Sequence, residues 1–148
     1  MDNTSEDALE LDRQVCFALA VASRSVIGIY RPILEPLGLT HPQYLVMLAL
    51  WGDKKLRFKK LAHMLRLDAA TLSPIVKRLE HSGLVERISA ADDERTFDIV
   101  PTQAGIALRE KALGVPPAVI KRLGLPVDYL VSLRDTLTTV ISAADQNS

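Results

Sequence analysis

Cysteine is all but missing from this chain: Cys16 is the only one in 148 residues. That excludes an intrachain disulfide and a four-cysteine zinc site at once. The three histidines, His41, His63 and His81, are scattered without ligand spacing, so no metal is expected. No Cys-x-x-Cys, phosphate-cradling glycine loop or His-Glu-x-x-His occurs, and no cofactor is expected. Asp2, Glu6, Asp7 and Glu10 open the chain where a secretion signal would need basic and then apolar residues. The longest uncharged run, residues 36–52, has 17 residues, short of the ~20 of a membrane span. These absences predict a soluble, cytoplasmic protein with no membrane partner, and its length suits a single domain.

Net charge is zero as well, which at first argues against nucleic acid. Its distribution reverses that. Residues 1–52 carry −3, residues 53–88 carry +5 (nine basic, four acidic), residues 89–100 carry −3 and residues 101–148 carry +1. One positive segment in a neutral protein is what a localised phosphate-contacting face requires. A solvated helical surface would look the same, so the order of elements has to decide.

What is present is mainly helical periodicity. Val15, Leu19, Ala22, Val26, Ile29 and Ile33 recur at alternating four- and three-residue steps, predicting a first helix from about Glu10 to Leu34 with an apolar seam. Arg31-Pro32 and Pro36-Leu37-Gly38 close it. A nearly all-apolar helix from about Pro42 to Trp51 belongs in the core. Residues 57–66 make a short basic amphipathic helix, with Leu61, Ala62 and Leu65 inward and Lys59, Lys60 and His63 outward. Asp68 is a good N-cap for a helix from about Ala69 to Ser82, with Leu72, Ile75, Val76 and Leu79 inside and Gly83 as its stop. Pro74 sits too deep for the first turn: either the helix kinks there, or Ser73-Pro74 is the true cap and first position.

After Gly83 the period drops to two. Leu84–Ile88 and Thr96–Val100 read as a β-hairpin whose acidic tip, Ala90–Glu94, ends in Arg95. Thr102 caps a helix to about Leu113, Gly114-Val115-Pro116-Pro117 breaks it, and Leu130, Leu133, Leu137, Val140 and Ile141 mark a last helical segment. The fold class is therefore mainly α with a small β-hairpin wing. Two short helices joined by a tight turn and followed by a hairpin form a winged helix-turn-helix, and this order implies double-stranded DNA as partner. Thr71, Ser73, Lys77 and Arg78 can face a major groove from the second helix, and Arg95 can enter the adjacent minor groove.

Residues 57–105 resemble the multiple-antibiotic-resistance regulator (MarR) family, whose wing carries an Asp-x-Arg signature, here Asp93-Glu94-Arg95. Asp93 is placed to orient the Arg95 guanidinium. The family's Leu-Thr after the wing reads Pro101-Thr102. Four further blocks, Leu11–Phe17, Tyr30–Leu34, His41–Leu45 and Leu67–Pro74, are similar to the OhrR-type organic-hydroperoxide repressors. The resemblance implies a homodimer on a palindromic operator, released when an N-terminal cysteine is oxidised by an organic hydroperoxide. It divides the single domain, residues 1–148, into a DNA-binding region, 53–102, and a helical dimerisation region, 1–52 with 103–148.

A lone cysteine in an apolar helix is ordinarily an inert core residue; the resemblance makes Cys16 a redox sensor instead. It also implies that Tyr30 donates a hydrogen bond to the sulfur. Tyr30 is 14 residues beyond Cys16, about 21 Å along one helix, so the pairing requires the other subunit. The family's second donor, a tyrosine, is His41 here. An imidazole can still donate, and if cationic would depress the thiol pKa further; His41 could equally be a polar residue opening the second helix. Tyr44, Trp51 and Phe17 are expected in the core. Oxidised Cys16 has no second thiol in its chain, and a Cys16–Cys16 bridge would need α-carbons within ~7 Å. The sulfenic acid is therefore expected to persist, cyclise with a backbone nitrogen, or condense with a small cytosolic thiol.

Two rival readings remain open. A thiol peroxidase would turn over many peroxides on Cys16, where a sensor consumes one. A repressor of the same family released by a small lipophilic or phenolic ligand would leave Cys16 incidental.

Overall fold

The computed structural model describes residues 4–147; Asp2 and the outermost residues of the expected domain, 1–3 and 148, lie outside the description. Helix α1 runs Thr4–Leu34 and passes into a 3-10 turn, Glu35–Leu37. It starts six residues before the expected Glu10. Pro32 does not stop it, because a proline forfeits one bond, here to the Gly28 carbonyl, two residues before the helix ends. Gly38, in the left-handed region at φ 72°, turns the chain into α2, His41–Asp53. Thr40 caps α2 in a reciprocal box: its hydroxyl accepts from the Gln43 backbone, and the Gln43 side chain accepts from the Thr40 backbone.

Strand β1 is two residues, Leu56–Arg57, followed by α3, Phe58–Leu65, and α4, Ala69–His81. β1 was not visible in the sequence, because two residues cannot establish a period. Asp68 caps α4, and Pro74 lies within an unbroken helix, so the alternative cap at Ser73 is not used. The bond Pro74 gives up is to Ala70, whose exposed position leaves that carbonyl to water. Strands β2, Val85–Ala90, and β3, Asp93–Pro101, complete an antiparallel sheet in the order β1-β3-β2. The turn is narrower than expected, at Ala91-Asp92, so Arg95 is in β3 instead of ending a loop.

Helix α5, Gln103–Ala112, is capped by Thr102. The Gly114–Pro117 segment ends α5 as expected but also opens α6, Val115–Leu123. Prolines in a first turn lose no bond they could have made, and their φ suits a helix. Helix α7 spans Val127–Gln146.

The core joins α2, α3, α4, the sheet and α6 through Tyr44, Met47, Leu50, Leu61, Leu72, Leu79, Ile99 and Val115. Leu34 at the end of α1 belongs to it as well, whereas the first half of α1 and all of α7 stand apart from it. Leu9, Leu11, Val15, Phe17 and Leu19 of α1 are exposed, as are Val127, Tyr129, Leu133, Val140 and Ile141 of α7. Phe17, expected in the core, is 68% exposed. By length and composition, residues 8–37 even meet the requirement for crossing a membrane, with an 18-residue stretch of mean hydropathy 1.3.

Candidate nucleic-acid interface and cysteine site

Buried Leu72, Ile75, Val76 and Leu79 fix the rotation of α4, and its other face carries exposed Thr71, Lys77 and Arg78, with Ser73 half-buried. Thr71 is also part of the cap: its backbone N–H donates to Asp68 at 2.7 Å. Hydrogen bonds from the Thr71 side chain and then its backbone hold the Asp68 carboxyl below the usual range.

On the wing, the Arg95 side chain is 91% exposed. Asp93 Oδ1 accepts from the Arg95 backbone at 3.0 Å and from its Nε at 3.3 Å. So exposed a pair adds little stability, but it biases the direction of the guanidinium. Arg66 is bonded to Asp145, and two further arginines of the basic segment are internally engaged. Arg87 donates to Glu80 at 3.2 Å and stands 5.3 Å from the centre of the Phe97 ring. Arg57 Nε donates to Asp98 at 3.2 Å, and another of its nitrogens lies 2.5 Å from Asp92. Bonding to Asp92, then Asp98, raises the Arg57 pKa. Sequence reasoning counted both arginines only as charge. The signal for Arg57 was Asp98, a carboxylate inside an apolar strand, which is buried.

The three residues expected at the cysteine site do not meet within one chain. Tyr30 and His41 do: their rings pack edge to face with centroids 5.0 Å apart, and Tyr44 lies 5.9 Å beyond Tyr30. Burial raises the Tyr30 phenol above its ordinary pKa, keeping it protonated as a donor. Burial lowers the pKa of His41, which within one chain favours the uncharged imidazole. His41 is also the first residue of α2. It lines, with Ile27, Arg31, Glu35 and Thr40, a groove of about 560 Å³ at the α1–α2 corner. Cys16 is exposed on α1, about four turns before Tyr30. Among the described residues no group of three or more His, Cys, Asp or Glu could hold a metal.

The MarR family model matches residues 39–97. The organic hydroperoxide resistance transcriptional regulator of Bacillus subtilis is 36% identical over 96% of this chain and 97% of its own length. Among solved structures, reduced AbfR bound to DNA superposes with a TM-score of 0.80 at 30% identity, covering 96% of this chain and 99% of that one. Overoxidised AbfR bound to DNA gives 0.78 at 29% identity, covering 95% and 99%, and the disulfide form, at 30% and covering 95% and 99%, gives 0.62, so the arrangement here is nearer the DNA-bound forms. With a relative of that identity matched end to end, and with the fold and wing shared, this chain belongs to the MarR family of transcriptional regulators.

Proposed function

We propose that the protein is a homodimeric, cytoplasmic DNA-binding repressor that senses organic hydroperoxides through Cys16 and is not an enzyme. Residues 53–102 read a palindromic operator with Thr71, Ser73, Lys77, Arg78 and Arg95, the last oriented by Asp93. Residues 1–52 and 103–148 form the dimerisation region of the same domain. The observation carrying this reading is that Cys16 lies about four turns along α1 from the Tyr30–His41 pair, and that the first half of this helix leaves its apolar side chains uncovered. A second copy crossing α1 covers that face and brings the partner's donors to Cys16. Membrane insertion would leave Arg24 and Arg31 of the same helix in hydrocarbon.

In the chemical step the Cys16 thiolate attacks the terminal peroxide oxygen. The S–O bond forms as the O–O bond breaks, sulfur supplies two electrons, and the alkoxide takes a proton and leaves as the alcohol. The Tyr30 phenol and the His41 imidazole of the other subunit stabilise the thiolate by hydrogen bonding. The sulfenic acid, or its mixed disulfide with a small thiol formed with loss of water, enlarges the dimer seam and takes the two reading helices out of register.

Gel-shift titration with an organic hydroperoxide tests this. Wild type should release DNA at about one peroxide per subunit and Cys16→Ser should stay bound. A second reading, release by a small lipophilic ligand, has the groove at His41 in its favour; there Cys16→Ser would still be released. Sustained peroxide consumption with a thiol reductant would make the protein a peroxidase.

A further inference from the structure

We propose that Arg57 is a positioning residue for the wing: by gripping Asp92 and Asp98 together it holds the hairpin tip toward β1 and so fixes where Arg95 points. The inference rests on the DNA-binding reading above and adds a residue to it. Arg57 is the register partner of Asp98 in the β1–β3 ladder, and the same guanidinium reaches Asp92 in the turn. Six positions separate those two aspartates, about 20 Å in a straight strand. One guanidinium cannot bridge that span, so the hairpin is bent. The register shift between Ser89 and Ala90 is the kind of irregularity at which a strand bends and twists.

The two ends of the clamp have different physical origins. Asp98 is 7% exposed, and a carboxylate so buried needs a partner; that requirement anchors Arg57. Asp92 has a side chain 70% exposed, so folding alone does not require its bond. What the bond does is fasten the turn, and the next residue, Asp93, holds Arg95. Arg57 is thus turned toward carboxylates through Nε and a terminal nitrogen, and its part in DNA binding passes through Arg95.

The probe is a duplex selected from a random-sequence pool by the wild-type protein, with affinity read by fluorescence anisotropy. Asp92→Asn removes a negative charge, which by phosphate attraction alone tightens binding. Positioning gives the opposite sign: about tenfold weaker binding, with no further loss when Arg95 is already Ala. Arg57→Ala should behave the same way in both backgrounds. Unchanged or tighter binding by Asp92→Asn, or a fully additive loss on top of Arg95→Ala, overturns the inference and leaves DNA binding standing. A wild-type protein that selects no duplex defeats the DNA-binding reading and the inference with it. Amide exchange in residues 89–96 gives a second measurement, faster in Asp92→Asn; exchange equal to wild type also counts against the clamp.

Discussion

The helix-turn-helix and wing are finished within one chain, whereas the first half of α1 and all of α7 are not. In α4 four residues are buried, and the three-stranded sheet places Val85 and Ile99 in the same core; in α7 none is buried. The two regions have much the same apolar content and differ in what they meet. An amphipathic helix gains little from its own propensity and needs a second surface for its apolar stripe. The reading half finds that surface inside the molecule. The other half has to find it in another copy, and under the proposed function dimerisation and sensing are then one structural event.

The largest expected effect would break that contrast at its source. Leu133→Glu places a charge in the α7 stripe and should cost the dimer about 3–5 kcal/mol, giving a helical monomer in sedimentation. A Leu133→Glu protein that remains dimeric at micromolar concentration would show that α7 has another role. Gly105→Ala strikes where the two halves meet. A Cβ there overlaps the Leu84 carbonyl oxygen, where α5 crosses the end of the hairpin, and Trp51 Nε1 donates to the Gly105 carbonyl at 2.8 Å. Folding stability should fall by about 3 kcal/mol in urea melts.

Arg95→Ala should weaken operator binding by about 1–3 kcal/mol with unchanged thermal stability. Lys77→Ala should lower the salt slope of binding by about one if it meets a phosphate; an identical slope removes it from the contact set. The smallest effect is on pH. Because burial lowers the His41 pKa, the unfolded chain takes up that proton first as pH falls. Its contribution is therefore complete above about pH 6.5 and declines below it. Urea melts across that range should show the decline in wild type and a shallower one in His41→Asn; parallel curves would mean that His41 is not desolvated.

Much of the reading half was legible because local rules and tertiary packing agree there. Asp68 and Thr102 are caps by residue type, and the inward set of α4 follows from its period. Pro74 could not be decided locally, since its cost depends on whether the Ala70 carbonyl reaches water. Strand β1 and the Arg57 clamp were hidden because both arise from register between segments some forty residues apart. Phe17 misled for a related reason: its apolar setting was read as core of its own chain, although in one chain nothing covers it. The lowered pKa of His41 is likewise a consequence of burial in the fold, which spacing could not reveal.

The central claim is that one subunit supplies the cysteine and the other its donors, and a mixed dimer tests it most directly. Cys16→Ser paired with Tyr30→Phe leaves a single cysteine, which faces the intact Tyr30 only if the site is shared between chains. Its oxidation by an organic hydroperoxide, followed by intact-mass spectrometry, should proceed at the wild-type rate. A rate equal to that of the Tyr30→Phe homodimer, in conditions where that homodimer is slower than wild type, would place Tyr30 with its own Cys16 and contradict the account.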